Sequence, residues 1–543
     1  MKSKTSFFNT TLLRKDILRF APAWVLFFVY LLLQPVEIDS NFAAWQLSNS
    51  ISEYSLVNLV YAMVCAQLLF GDLFNTRLCN ALHALPVRRE SWFVTHILAG
   101  LCFSVVPVMA AGLIQLLTLG SYWMAALLWV AAVTLQFVFF FGVAVFSMIL
   151  VGNRFAAVVV YSILNFLAGI VLWLFYALYL DHLHGVAVNL EDWMVLCPTV
   201  WFFNFDWFRP TELGKYVMIT DGWGYLLICV AIGLLLLGAA LLLYRRRALE
   251  KAGDFMAFKP LQPVFLVLYT FSAGAALHLF CNLFMGVGVE YVFLLVGLAV
   301  GFFTGLMLLN RTVQVFRLRT FVQFGVILAA FGLSLLLTIV DPLGITRWVP
   351  EEGDVKSVTL NYMPYGTEDH SMRDPEAIRQ VISIHQHGVD HPEEKANGLK
   401  DAQVTLIYEL KDGRRVRRSY YIDSGTMAYA TIEHMLSRPE HIFGSKYTSV
   451  DALLADVVMV ERTNNATYEE KRVTTDKEDI RTIVEAIMKD CEAGTMCQEY
   501  PFAATGGQLY GIYLESKKGT DGWYINYTAS DKHTFEAMKQ IFP

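Results

Sequence analysis

Residues 226–247 read LLICVAIGLLLLGAALLLYRRR. No charged side chain precedes Arg245 in this stretch, and its apolar part has about the 20 residues that a helix needs to cross a bilayer. Three arginines follow at once, and Lys and Arg accumulate at the cytoplasmic ends of membrane-spanning helices. The stretch therefore predicts a transmembrane helix that ends in the cytoplasm.

Similar apolar runs fill the first 340 residues. The chain is 56% hydrophobic, whereas soluble proteins usually reach about 45–50%. Residues 1–20 are too polar for a signal peptide and lead to no small-residue cleavage site, so the first run is interpreted as a retained helix. We predict a membrane-spanning all-α bundle over residues 21–344, with nine spans at 21–36, 55–72, 93–118, 124–151, 155–180, 223–244, 262–284, 290–309 and 321–340.

The basic residues of the predicted loops indicate an orientation. With the N-terminus inside, the segments 1–20, 73–92, 152–154, 245–261 and 310–320 carry 17 Lys and Arg, whereas the alternate loops carry only Arg209 and Lys215. This split predicts a plasma-membrane protein with a cytoplasmic N-terminus, an odd number of spans and an extracellular C-terminal domain.

One predicted outer loop, 181–222, is rich in Trp and Phe within WMVLCPTVWFFNFDWF. Such residues favour aromatic rings at headgroup level, and a loop packed on the helix ends predicts the same composition.

Residues 345–543 have the composition of a soluble domain. They hold 23 basic and 32 acidic residues, and this net charge of −9 argues against nucleic-acid binding. The segment aligns with itself at an offset of about 102 residues, with DPEAIRQVISIHQHGVD at 374–390 matching DKEDIRTIVEAIMKDCE at 476–492. An alternating stretch precedes each helix, and a hairpin pattern follows, such as the one around Asp412-Gly413. We predict an α+β domain of two β-α-β-β-α repeats, 345–450 and 451–543.

Signals for catalysis are weak. The chain contains no GxxxxGK[ST], HExxH or GxSxG motif, so we predict no enzymatic activity of its own and no cofactor. His385, His387 and His391 lie close together, which suits either a metal site or a duplicated scaffold with surface histidines, and the second repeat has no His at the equivalent positions. Cys491 and Cys497 are six residues apart and are compatible with a disulfide or with two free thiols.

Ionisable groups are rare within the predicted spans. His278 and Asn282 are four residues apart and therefore face one side of their helix. An intramembrane polar pair is a candidate functional site, although a helix–helix hydrogen bond accounts for it equally simply. Asp72, Glu290 and Asp341 fall at span ends, which argues against an ion-driven carrier.

The first predicted inner loop, NTRLCNALHALPVRRESWFVTH at 75–96, has a distinctive pattern. A short amphipathic stretch is stopped by Pro86, and two arginines then lead into the next span. A second amphipathic helix is predicted over 7–20, with its apolar residues on one side and Arg14, Lys15, Asp16 and Arg19 elsewhere. Such a helix is expected to lie in the inner membrane interface.

This arrangement resembles the permease subunits of bacterial ABC-2-type transporters, in particular Gram-positive forms with an added extracellular domain. The resemblance lies in the inner-loop pattern at Leu85, Pro86, Arg88 and Arg89 and in the layout of residues 1–250. It implies that this loop is a coupling helix that binds a separate ATPase subunit, through Arg77, His83, Leu85, Pro86, Arg88 and Arg89. It also implies a second permease subunit, as a homo- or heterodimer. A basic loop on anionic lipid accounts for the charges alone.

The six-span core usual in that family differs from the nine spans predicted here. The alternative function is a non-transporting membrane sensor or envelope-assembly protein, whose extracellular domain binds a ligand. No paired mid-span carboxylates support an intramembrane enzyme.

Overall fold

A computed structural model describes most of the chain. The residues it describes are 8–33, 40–83, 87–118, 123–188, 195–210, 216–247, 254–255, 257–285, 290–363, 371–392, 402–423, 425–444, 446–464, 472–496, 510–517 and 522–542. They form two compact units, one made of residues 1–176 with 189–332 and the other of 177–188 with 333–543.

The N-terminal part of the chain is helical. Its helices are α1 (Thr10–Arg19), α2 (Ala21–Leu32), α3 (Ser40–Phe70), α4 (Thr76–His83), α5 (Arg89–Thr118), α6 (Trp123–Leu150), α7 (Arg154–Tyr179), α8 (Pro198–Asn204), α9 (Thr220–Arg246), α10 (Gln262–Met285), α11 (Glu290–Asn310) and α12 (Leu318–Val340). Among the described residues, eight are long and apolar enough to cross a membrane: α3, α5, α6, α7, α9, α10, α11 and α12. The chain is thus a multi-pass membrane protein.

Two predicted boundaries near the N-terminus differ from the structure. The first predicted span corresponds to α2, whose 12 residues are fewer than in the eight long helices. The second, predicted from residue 55, belongs to α3, which already begins at Ser40. Residues 40–54 are helical because their polar side chains find partners inside the protein: Ser48 donates to Phe208 O at 2.7 Å, and Ser52 donates to Phe205 O at 2.9 Å.

Helix α6 forms the centre of the bundle, and its last turns are buried almost completely. It meets α9 where Gly142 lies against Gly233. A Cβ on Gly142 would be 2.4 Å from Gly233 O, and one on Gly233 would be 2.9 Å from Phe139 Cα. The two backbones approach this closely because neither glycine has a side chain, which is a common basis of helix association in membranes.

The aromatic residues of the 195–210 segment pack inside the unit. Phe202 and Trp207 have no exposed surface and Phe208 has 1%, and the Trp207 ring contacts those of Phe202 and Trp223. In the described part of this loop the rings of Phe202, Trp207 and Phe208 therefore pack inside the protein, and their depth relative to the lipid headgroups stays a prediction. A short antiparallel pair, β1 (Phe208–Pro210) with β2 (Tyr216–Met218), closes the segment.

The C-terminal region contains small antiparallel sheets, each covered by helices. The first has β3 (Val355–Met363), β4 (Ala402–Leu410) and β5 (Arg415–Ile422) in the order β3-β4-β5. The second has β6 (Val457–Asn464), β7 (Arg472–Thr474), β8 (Tyr510–Ser516) and β9 (Gly522–Tyr527) in the order β7-β6-β8-β9. The helices are α13 (Pro375–Asp390), α14 (Met427–Leu436), α15 (Pro439–Phe443), α16 (Val450–Leu454), α17 (Lys477–Glu492) and α18 (Lys532–Ile541).

We call residues 345–450 the first module and 451–543 the second module. Each has its own apolar core, although Ile442 and Phe443 of the first module pack into the core of the second. Two predicted helix starts are observed, since Asp374 accepts a hydrogen bond from Ala377 N and Asp476 from Glu478 N. Gly413 has a φ of +86°, which its predicted hairpin turn requires.

Candidate functional site at the basic end of the helical bundle

The ends of several helices meet at one side of the first unit, which we call the basic end. Arg19 at the end of α1 lies 4.0 Å from Asp72, and Arg245 at the end of α9 lies 3.2 Å from Glu90 at the start of α5. Arg19, Glu90 and Arg245 come from segments that the basic-residue count assigned to one side of the membrane, and Asp72 is the last residue of the predicted span 55–72. The structure therefore brings the predicted inner segments together.

Arg247 lies at the centre of this end and is 5% exposed. Its guanidinium donates to Met148 O at 2.9 Å and to Ile149 O at 3.2 Å, which are carbonyls of the last turn of α6. It also reaches Leu73 O at 3.5 Å, just before α4. A cation at a helix C-terminus satisfies carbonyls that the helix itself leaves unpaired and complements the helix dipole.

Arg247 remains positively charged although its side chain is buried. Burial lowers the pKa of Arg247 to about 10, so it stays protonated at neutral pH. Among the described residues it forms no ion pair, and backbone carbonyls solvate the charge instead. Its own carbonyl accepts from the Arg89 side chain at 3.4 Å, and the backbone N–H of Ala257 caps Leu150 O at 2.9 Å. Three helix ends are thus joined by hydrogen bonds.

Helix α4 begins beside this cluster. Asn75 starts it, since the Asn75 side chain accepts from Arg77 N at 3.0 Å and the Asn75 carbonyl accepts from Cys79 N at 2.8 Å. Cys79 points inward and is 2% exposed, and burial raises the pKa of its thiol while the nearby Arg247 and Arg89 oppose that shift. One side of α4 is therefore held by the bundle, while Arg77 on the other side is exposed.

The structure describes part of the predicted coupling site. Arg88 is exposed directly before α5, and Arg89 is the half-buried first residue of α5. His83 is the last residue of α4, but its side chain lies outside the description, as do Leu85 and Pro86 entirely. Arg77 and Arg88 are thus exposed on either side of residues 84–86, which lie outside the description, whereas the Arg89 side chain donates to the Arg247 carbonyl.

Helix α1 packs on α5 in a way that the sequence interpretation missed. Asp16 was expected outside the apolar side of α1, but it is 4% exposed and lies 2.7 Å from His96 Nδ1. Its position three residues after Leu13 and four before Phe20 places it within the apolar stripe. Thr95 Oγ1 also accepts from Asn9 N at 3.2 Å. α1 is therefore joined to the bundle by buried polar contacts.

The second candidate, the intramembrane polar pair, is described in part. His278 lies in α10, is 1% exposed and has the Trp173 ring 6.4 Å away, centre to centre. Asn282 lies one turn later in α10, and its side chain is outside the described residues. His278 thus faces protein, and whether the two side chains hydrogen-bond stays a prediction.

The histidines at positions 385, 387 and 391 do not form one cluster on the surface. His385 has no exposed surface, and burial together with the nearby Arg418 lowers its pKa to about 3. His391 and His387 stack on the outer side of α13, with ring centres 4.2 Å apart. The interpretation as surface histidines is therefore wrong for His385. Among the described residues, no group of His, Cys, Asp and Glu has an arrangement that could hold a metal ion.

The possible disulfide lies partly outside the description. Cys491 is a buried free thiol, and Cys497 is not among the described residues. Burial raises the pKa of Cys491 to about 12.

The residues that sequence reasoning missed are Arg247 and the Asp16–His96 pair. Arg247 stands in a run of three arginines, and nothing local separates the buried one from its exposed neighbours. For Asp16, the helical spacing to Leu13 and Phe20 was an available signal.

No family model matches the chain, and neither a curated protein nor a solved structure matches it.

Proposed function

We propose that this chain is the membrane-spanning permease subunit of an ATP-binding-cassette transporter of the ABC-2 type. A separate ATPase subunit binds the corner formed by α4 and the start of α5, and a second permease subunit completes the transporter. The observation that carries the proposal is the construction of this corner. Arg77 and Arg88 are exposed on it, while Leu73 and Arg89 beside it are bonded to Arg247.

A docking corner transmits movement only if it is joined firmly to the helices behind it. Here Arg247 bonds Leu73, three residues before α4, and the last turn of α6, and its own carbonyl accepts from the first residue of α5. Rigid-body movement of an ATPase would therefore reach α5, α6 and α9 together, shifting the bundle between two arrangements. A loop that only touches lipid headgroups has no need of such connections.

The proposed topology has nine spans with the C-terminal region outside. Contacts of Arg19 with Asp72 and of Tyr30 with Tyr54, whose ring centres are 5.9 Å apart, place α2 beside α3. The 12 residues of α2 correspond to about 18 Å of helix, less than the roughly 30 Å of a hydrocarbon core. Counting α2 as a span therefore rests on the odd number of spans that the basic-residue count requires.

A second contact supports the outside location independently of α2. Residues 183–188 pair with β5, so the loop after α7 and the first module belong on the same side of the membrane. Four long helices, α9 to α12, separate them in sequence, and an even number returns the chain to the starting side. Since that loop is poor in Lys and Arg, the extracellular side is favoured for both.

We also propose that the two modules arose by tandem duplication. The strand pairing of β3 shifts register between Val355 and Ser357, and that of β6 shifts between Val457 and Met459. The two irregularities are 102 residues apart, which is the offset at which the sequence aligns with itself. Lys411 N donates to Asp354 O at 2.9 Å, and Lys517 N donates to Asp456 O at 2.7 Å. Irregularities of this kind recur at equivalent places more readily by descent than by chance.

The experiment is co-expression of the full-length chain with candidate P-loop ATPases, any encoded by a neighbouring gene first, followed by co-purification and ATP hydrolysis in nanodiscs. Arg88→Glu together with Arg77→Glu should abolish association. Arg319→Glu, an exposed arginine in another predicted inner segment, is the matched control and should leave association unchanged. An unchanged complex with the double variant, or the absence of any ATPase that associates, would overturn the proposal.

The alternative is a non-transporting sensor or envelope-assembly protein, and one feature of the second module favours ligand binding. A cavity of about 480 Å³ lies between the start of β6 and α17, lined among others by Lys477, Arg481 and Lys517. If no ATPase associates and an anionic ligand binds here, the sensor becomes the better description.

A further inference from the structure

A segment of the membrane part of the sequence pairs with the edge of the first module. We call residues 183–188 the strap. Ser419 N donates to Gly185 O at 3.0 Å, Ala187 N donates to Arg417 O at 3.5 Å, and Val186 pairs with Arg418 as an antiparallel bridge. The strap therefore covers the edge of β5, which would otherwise present unpaired backbone groups.

The strap is locked by the ring of Tyr420. This ring lies between two glycines, since a Cβ on Gly185 would be 2.3 Å from it and a Cβ on Gly388 would be 2.4 Å from it. Gly185 also has a φ of +72°, which residues with a side chain rarely adopt. Next to it, His184 Nε2 donates to Gly388 O at 2.9 Å, because a carbonyl only accepts. Only glycine at position 185 allows this fit.

The same strand, β5, also holds the chain after α12. Arg418, 5% exposed, donates to Ile345 O at 2.8 Å, and its guanidinium lies 5.9 Å from the centre of the Trp348 ring. The hydroxyls of Tyr179 at the end of α7 and Ser334 in α12 are 2.6 Å apart. Thus one strand of the first module is attached to the segments that directly follow two membrane helices.

We propose that the strap is a conformational relay: whether it is docked on β5 sets the state of the end of α7, so that a change in the first module reaches the membrane part through residues 177–188. The attachment is short: two backbone hydrogen bonds, one imidazole hydrogen bond and the fit of the Tyr420 ring hold it, so that docked and released states are close enough in free energy to interconvert. A short helical turn, Leu180–His182, is all that separates α7 from the strap. This inference goes beyond the proposed transport function and does not depend on an ATPase.

The test is hydrogen exchange by mass spectrometry on the full chain in nanodiscs. Gly185→Ala should speed exchange in the strap and in β5 by at least 10-fold, and should also speed exchange in the last two turns of α7. Gly413→Ala is the matched control, since Gly413 has a similar φ of +86° but nothing within 4 Å of its Cβ position. Peptides from α17 in the second module report whether each variant is folded.

Two further variants separate the relay from simple misfolding. Ser419→Pro removes the N–H that bonds the strap and leaves the β4 side of β5 intact, so it should reproduce the Gly185→Ala pattern. Tyr420→Ala in the Gly185→Ala background removes the clash and should restore part of the strap protection. Unchanged strap exchange in Gly185→Ala overturns the docking, and a released strap with unchanged α7 overturns the relay.

Discussion

His385 makes the first module sensitive to acid, and the size of the effect follows from its surroundings. The Tyr408 hydroxyl donates to Val381 O at 3.3 Å, so His385 Nδ1, 3.2 Å from that hydroxyl, is the ring nitrogen that donates to it. The other nitrogen, Nε2, is buried without a hydrogen-bond partner among the described residues. Protonation would place an unpaired cation there, beside Arg418, so the folded protein keeps the ring neutral.

The magnitude comes from the difference between the folded and unfolded pKa. Burial lowers the pKa of His385 from about 6.5 to about 3, so between these values the unfolded chain binds one proton more than the folded chain. The stability of the first module should therefore fall as pH falls through this window. Linkage gives a loss of about 2 kcal/mol between pH 7.5 and pH 5.

Hydrogen exchange measured at both pH values, and corrected for intrinsic rates, gives the opening free energy of each element. Amides of α13 and β4 should lose about 2 kcal/mol at pH 5, and His385→Gln should remove most of that loss because glutamine does not titrate. Amides of α17 serve as an internal reference. An equal loss in the wild type and in His385→Gln would refute the reasoning.

Two further predictions concern the helical bundle. Gly233→Val should lower the melting temperature of the protein in nanodiscs by several degrees because its side chain would collide with α6 at Phe139, whereas Gly238→Val on the same helix has open space and should change it little. Arg247→Gln should cost on the order of 3 kcal/mol of stability, measured by thermal unfolding, since the carbonyls at the end of α6 lose a charged donor. Arg246→Gln is its control, because that neighbour is exposed; equal effects of the two substitutions would contradict the role of Arg247.

The local signals in the sequence predicted local structure well. The length of the apolar runs predicted the eight long helices that the structure describes, and the Asp374 and Asp476 caps lie at the predicted positions. These features depend on residues within one or two turns of each other. The start of α3 was misjudged because Ser48 and Ser52 find partners about 150–160 residues away, which local polarity does not reveal.

The contacts that build the candidate site were harder to predict from the sequence. Arg247 differs from Arg245 and Arg246 only in what surrounds it, namely the carbonyls of α6 and Leu73. His385 seemed exposed because its neighbours are polar, but one position on an amphipathic helix decides between core and solvent. The pairing of the strap with β5 could not be predicted, because a few residues of a loop carry no signal of a partner far along the chain.

The pairing of the strap with β5 has a consequence for biogenesis. Val186 and Arg418 are 232 residues apart (418 minus 186), so at about 5–20 residues per second the partner strand is synthesised roughly 10–50 s after the strap. During that interval four more helices must enter the bilayer while the strap waits without its strand. A nascent chain stalled or truncated before residue 415 would carry the eight long helices that the structure describes and yet leave the loop after α7 without its partner strand. The loop after α7 can thus reach its final pairing only after β5 has been synthesised.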